Sequence, residues 1–213
     1  MLVIGLGRFG GAVAVELENI GFEVLGMDVD HGRVQAHADA LTQVVEADTS
    51  QNIEALRQLG AADFEHAIVG IGTDIEASIL TTSALNDLGI PNIWAKAVTT
   101  SHGRILERVG AHHVVYPEHD MGRRVARLVG GRVIDWFRLD EDFAMVETTA
   151  PSELFGRTLS EIGLRANYDV TVVCVKPLGQ TFTYATADTV LGEGDVLVFA
   201  GATRKAEAFA TLT

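Results

Sequence analysis

The sequence predicts an α/β chain: an open, doubly wound parallel sheet with helices on both faces, followed by a small α+β lobe. Three observations predict it. Short apolar runs alternate with amphipathic helical segments through the first half of the chain. A glycine-rich loop joins the first run directly to the first helical segment. Beyond about residue 140, short strand-like runs separated by Gly- and Asp-bearing turns replace the alternation.

The apolar runs are Leu2-Val3-Ile4, Glu23 to Met27, Gln43-Val44-Val45, Ala67 to Ile71, Asn92 to Lys96 and His113 to Tyr116. Helical period separates them, as in Phe9, Val13, Leu17 and Ile20 on one face. Strands alternating with helices mean βαβ units, a parallel sheet and right-handed crossovers. Such a sheet is covered on both faces, so its strands are apolar throughout rather than alternating. The first run starts at Leu2, so a few residues upstream of Met1 are expected. From His119 to Gly130 one more amphipathic helix is expected, with Met121, Val125 and Leu128 aligned and Gly130-Gly131 ending it. Val133 to Leu139 is a short apolar stretch, and Asp140-Glu141-Asp142 reads as a linker. Strands are then expected at Ala144 to Thr148, Asp169 to Lys176 and Val196 to Ala200, with one short helix at Leu159 to Gly163. Gly192 to Asp195 supplies the turn into the last strand.

Composition narrows the function classes. The 213 residues are 47% apolar and 21% charged, a globular balance. Net charge is -13 with a pI near 4.8, which repels phosphate backbones and anionic membrane surfaces and argues against nucleic-acid partners. Cys174 is the only cysteine, set in an apolar run where a small buried hydrophobe is expected. There is no signal sequence and no apolar stretch of spanning length, so a soluble intracellular protein is expected.

The chemistry-bearing motif is Gly5-Leu6-Gly7-Arg8-Phe9-Gly10, a G-x-G-x-x-G loop between strand and helix. In this Rossmann-like setting Gly5 permits the tight turn, Gly7 lets phosphate approach the backbone and Gly10 allows close helix–strand packing. The helix N-terminus offers free N–H groups to phosphate. Asp28 ends the second strand, where a carboxylate takes ribose hydroxyls. Arg8 is either a phosphate ligand, favouring a highly charged tail over a nicotinamide dinucleotide, or a solvated loop arginine. Asp48 either contacts adenosine or caps the helix near Ser50, and Thr49 stands beside it at the same carboxyl edge. Gly72 clears space for a ligand, and Lys96 is a snorkelling edge lysine or a phosphate contact. The histidines lack metal-ligand spacing; His112 and His113 fall on opposite strand faces. No serine or cysteine has a nucleophile context.

The glycine loop with Arg8 and Phe9, the strand end at Asp28, Pro91 to Ala97, Tyr116 to Gly122 and Leu191 to Val198 together resemble the RCK (KTN) regulators of bacterial potassium transport, of KtrA or TrkA type. The resemblance covers essentially the whole chain. It implies an RCK N-lobe over 1–118, a crossover helix and linker over 119–140, and an RCK C-lobe over 141–213. It implies a cytoplasmic regulatory subunit rather than an enzyme, docked at the membrane through a potassium-translocating partner of KtrB or TrkH type. Homodimers assembling into an octameric ring are implied, with ATP or ADP on each N-lobe and Arg8 reaching the γ-phosphate across the dimer interface. Glu118 matches the family's acidic residue at a divalent cation, Mg²⁺ or Ca²⁺. Ile162, Arg165 and Ala166 lie where relatives bind cyclic di-AMP, although Tyr184-Ala185-Thr186-Ala187 lacks a proline that some relatives carry. The alternatives are an NAD(H)-responsive regulator of the same family and an NAD-dependent dehydrogenase. The latter lacks a convergent acid–base pair in the second lobe.

Overall fold

A computed structural model describes residues 1–50, 53–129 and 133–212 and divides into two compact units, Met1–His119 and Asp120–Thr213. The Gly130-Gly131 helix break lies outside the described residues.

In the first unit the elements alternate strictly. They are β1 (Leu2–Ile4), α1 (Arg8–Asn19), β2 (Leu25–Asp28), α2 (His31–His37), β3 (Gln43–Glu46) and α3 (Ile53–Gln58). There follow β4 (His66–Val69), α4 (Ile75–Asp87), β5 (Asn92–Lys96), α5 (Thr100–Arg108), β6 (His113–Val115) and the start of α6 (Pro117–Val129), a helix that from Asp120 onward belongs to the second unit. The six strands form one parallel sheet of order β3-β2-β1-β4-β5-β6. The strand pleat splits the core in two. Leu2, Ile4 and Met27 pack with Leu56, Leu85 and Leu106, whereas Val3 packs with Leu6, Ala14 and Leu41. This is the two-faced burial that apolar parallel strands require. Helix starts are fixed by side-chain caps: Asp30 accepts from Arg33 N, Asp74 from Ala77 N and Thr99 from His102 N.

The second unit holds β7 (Val133–Asp140), β8 (Phe143–Thr149), α7 (Leu159–Ile162), α8 (Leu164–Tyr168), β9 (Val170–Lys176), β10 (Thr183–Tyr184), β11 (Val196–Ala202) and α9 (Thr203–Ala210). Its antiparallel sheet has the order β10-β9-β11-β8-β7. Phe199 and Phe209 meet edge to face at 4.8 Å in a core that includes Leu154, Ile162 and Leu197.

Two expectations change here. Val133–Asp140 is a full strand paired with β8, and Asp140 to Asp142 forms the tight hairpin connection between them rather than a linker. Two residues separate the strands, and an acidic turn suits that geometry as well as it suits a linker. Cys174 is half-buried instead of enclosed, with burial and the nearby Glu147 charge pushing its thiol pKa up.

Candidate functional site in the first unit

The strand order reverses between β1 and β4, and open parallel sheets leave a crevice outside the carboxyl ends of the strands at such a point. Both strands run directly into glycine. Gly5 N–H donates to the Met27 carbonyl and Gly70 N–H to that of Ile4, each at 2.7 Å, so three strand ends are tied together. Gly5 has φ +88°, a conformation that side chains rarely adopt. A Cβ on Gly10 would overlap the Gly5 carbonyl oxygen, and one on Gly70 would lie 2.8 Å from the same oxygen. These three glycines interlock by steric necessity.

Gly7 is different. Its φ of -68° is ordinary, and the nearest atom to a Cβ there would be Arg33 Nη1 at 4.0 Å. Nothing among the described residues requires a glycine at that position. Gly7 is also the N-cap of α1, which has neither a side-chain cap nor an acidic residue in its first turn. An uncapped helix start facing open space, with its dipole uncompensated, fits an anionic group such as a phosphate.

Asp28 is 4% exposed at the end of β2. Its Oδ2 accepts from Leu6 N–H at 2.7 Å and its Oδ1 from Asp30 N–H at 2.9 Å. The carboxylate therefore holds the glycine loop itself, while spare lone pairs remain for ribose hydroxyls. Arg33, which the sequence reading missed, adds a guanidinium 3.4 Å from Asp28 Oδ2. Its signal was available only in register: a cation three residues past the Asp30 cap returns over the strand end.

Arg8 is exposed and has no hydrogen-bond or ion-pair partner among the described residues. Phe9 is half-buried, with the Lys96 ammonium 5.9 Å from its ring centroid. Lys96 is 9% exposed, so it does not snorkel to solvent: its Nζ donates to Glu118 Oε1 at 2.6 Å. The Lys96 ammonium holds the Glu118 carboxyl below its usual range, with the Glu118 backbone N–H and the Arg8 charge adding to the effect. A Cβ on Gly72 would come 3.0 Å from Lys96 Nζ, so Gly72 clears space for this lysine. The structure thus brings Arg8, Phe9, Gly72, Lys96 and Glu118 to one neighbourhood at the strand ends.

Other candidates stand apart. Asp48 accepts from both the backbone N–H and the hydroxyl of Ser50. Thr49 is buried and pairs with Thr81 at 2.9 Å, which commits its hydroxyl to the core. In the second unit Ile162 is 1% exposed and belongs to the core, so its side chain is not a surface contact. Arg165 donates to Thr171, Ala166 is exposed, and Tyr184 is 90% exposed. Among the described residues, no group of three or more His, Cys, Asp or Glu could hold a metal ion. Also among them, no helix is long and apolar enough to cross a membrane.

Comparison with known proteins follows this division. Residues 1–117 match the TrkA-N domain and residues 143–213 the TrkA-C domain. The chain is 38% identical over 200 residues to the Ktr system potassium uptake protein C of Bacillus subtilis (strain 168), covering 93% of this chain and 90% of that protein. It is 36% identical, with the same coverage, to the Ktr system potassium uptake protein A of Vibrio alginolyticus. Among solved structures, the GsuK RCK domain shares the fold at a TM-score of 0.67 and 20% identity, over 99% of this chain and 46% of that one. The chain belongs to the family of the Ktr potassium uptake proteins, with a TrkA-N domain followed by a TrkA-C domain.

Proposed function

We propose that this protein is a cytoplasmic, ligand-sensing regulatory subunit of a potassium uptake system. ATP or ADP occupies the glycine-loop crevice of the first unit, and the nucleotide state gates a membrane subunit. The observation that carries the nucleotide reading is the contrast between Gly7 and its neighbours. Gly5, Gly10 and Gly70 are demanded by the protein's own packing, whereas Gly7 leaves open space at an uncapped helix start. Asp28 and Arg33 then take the ribose end. Arg8, free of partners within the described chain, serves the terminal phosphate, and in a homodimer it reaches the nucleotide of the other copy. ATP and ADP differ by one phosphoryl group, so the guanidinium is the natural discriminator. A ligand shifts the assembly only through its difference in affinity for the two states, so no hydrolysis is required.

The divalent cation and the ring belong to the same reading. Among the described residues no group of three or more His, Cys, Asp or Glu could hold a metal ion, and the Glu118 carboxylate is paired with Lys96. A cation site therefore needs phosphate oxygens and a second copy's Glu118, with Mg²⁺ or Ca²⁺ as the oxygen-liking choices. Homodimers assembled into an octameric ring provide that pairing. Cyclic di-AMP in the second unit has less support, because Ile162 is enclosed in the core.

Calorimetry against ATP, ADP and NADH tests the reading. ATP and ADP are expected to bind at micromolar or tighter affinity, and Arg8→Gln to reduce the preference for ATP over ADP about tenfold, a loss of about 1.4 kcal/mol. NADH binding far more tightly than both would transfer the protein to the NAD(H)-responsive reading.

A further inference from the structure

Basic residues are scarce in this chain, 16 against 29 acidic ones, yet five arginines fall between positions 123 and 138. Arg123, Arg124, Arg127 and Arg138 line a single cavity of about 240 Å³ in the second unit, together with Trp136 and Thr203. Two of the four are tied down. Arg124 makes a bidentate pair with Asp135, at 3.0 and 2.7 Å, and Arg127 reaches Glu207 at 3.2 Å while lying over the Trp136 ring. Arg123 and Arg138 are exposed and have no hydrogen-bond or ion-pair partner among the described residues.

The other wall of the cavity is the start of α9. That helix has no side-chain cap and no acidic residue in its first turn, which instead reads Thr203-Arg204-Lys205. Cations at a helix N-terminus oppose the helix dipole, so this turn is arranged against its own intrinsic preference. The Thr203 hydroxyl is buried and lacks a hydrogen-bond partner. Uncommitted guanidinia, an uncapped and positively charged helix start and an unsatisfied hydroxyl thus converge on one cavity. An anion there would accept from the guanidinia and the hydroxyl and would complement the helix dipole.

Two carboxylates, Asp120 and Glu141, share the lining. The ionised Glu141 carboxylate only accepts hydrogen bonds, so it favours a ligand that brings hydroxyl or amino donors alongside its charge. We propose that this cavity is a second ligand site, taking a small hydroxyl-bearing phosphomonoester, and that Arg123, Arg138 and the start of α9 hold its phosphate. The site is separate from the glycine-loop crevice and does not depend on what that crevice binds.

The probe is ribose 5-phosphate, titrated calorimetrically into the full-length chain. Low-millimolar or tighter binding is expected in the wild type. It should weaken at least tenfold in the Arg123→Gln/Arg138→Gln double variant and a few-fold in Thr203→Val, and remain within twofold of wild type in Arg8→Gln. Among the described residues the arginine substitutions remove no hydrogen bond or ion pair, and unchanged thermal unfolding of the free protein checks that the fold is retained. No binding by the wild type, undiminished binding by the double variant, or a loss confined to Arg8→Gln would each overturn the proposal.

Discussion

Gly7 and Gly10 lie three residues apart in one loop and face different constraints. A methyl group on Gly10 collides with the Gly5 carbonyl oxygen, a backbone atom fixed by the bond from Gly5 N–H to Met27. A methyl group on Gly7 meets nothing among the described residues closer than the flexible end of Arg33. Gly10→Ala should therefore destabilise the protein by about 1–3 kcal/mol, as overpacking of a fixed contact does. Gly7→Ala should cost less, about 0.5–1 kcal/mol, the difference between Gly and a poor N-cap residue. Its effect should appear in binding, as at least a tenfold loss of ATP affinity where the methyl occupies the path of the phosphate. Denaturant titration and calorimetry on the two variants separate these outcomes. Equal losses of stability would show that Gly7 is a packing residue, and the phosphate reading of the loop would lose its main support.

At the scale of elements, the buried strands were legible because parallel strands covered on both faces leave continuous apolar runs. All six expected strands of the first unit form, and their starts and ends move by at most two residues. The second unit was harder to read. β7 is an edge strand whose Ile134, Phe137 and Leu139 are exposed, so its pattern does not separate a core face from a solvent face. α9 escaped notice because it has no capping residue and starts with two cations. Arg33 and the pairing of Lys96 with Glu118 depend on chain returns of 5 and 22 residues, which periodicity cannot reveal. α5 carries a consequence for pH. His102 is 2% exposed, accepts from Val98 N–H through Nδ1, and leaves Nε2 buried without a partner. Burial lowers its pKa from the ordinary 6.5. The unfolded chain therefore takes up this proton first as pH falls. The stability contributed by the neutral ring is complete above 6.5 and is lost as pH drops through that value toward the folded pKa. In His102→Gln, which keeps an acceptor for Val98, the fall in melting temperature between about pH 7 and pH 5.5 should be shallower than in wild type by a few degrees. Parallel pH profiles would assign the acid sensitivity to another histidine.

At the scale of the molecule, each chain carries a net charge of -13, and under the proposed function ATP adds further negative charge. Two copies that bring their nucleotides together must neutralise this repulsion where it is greatest. Two like charges 4 Å apart repel by about 4 kcal/mol at an effective dielectric of 20. Glu118 would increase that repulsion unless a cation stood beside it, and in the single chain Lys96 is that cation, at 2.6 Å. Under the proposed cation site a divalent ion must compete with Lys96 for the carboxylate, and its effect is then conditional on ATP, whose phosphates supply the remaining oxygen ligands. The simpler role for Glu118 is electrostatic, as an acidic residue in the first turn of α6. Thermal shift measurements distinguish the two. Under the metal reading, Glu118→Gln keeps the shift produced by ATP alone and loses the further shift from Mg²⁺ or Ca²⁺, whereas Lys96→Met, which removes the competitor, enlarges that further shift. Under the helix reading, Glu118→Gln lowers the melting temperature slightly in every condition and retains the full cation-dependent increment. That retained increment would remove Glu118 from the cation site and leave Lys96 as its structural partner.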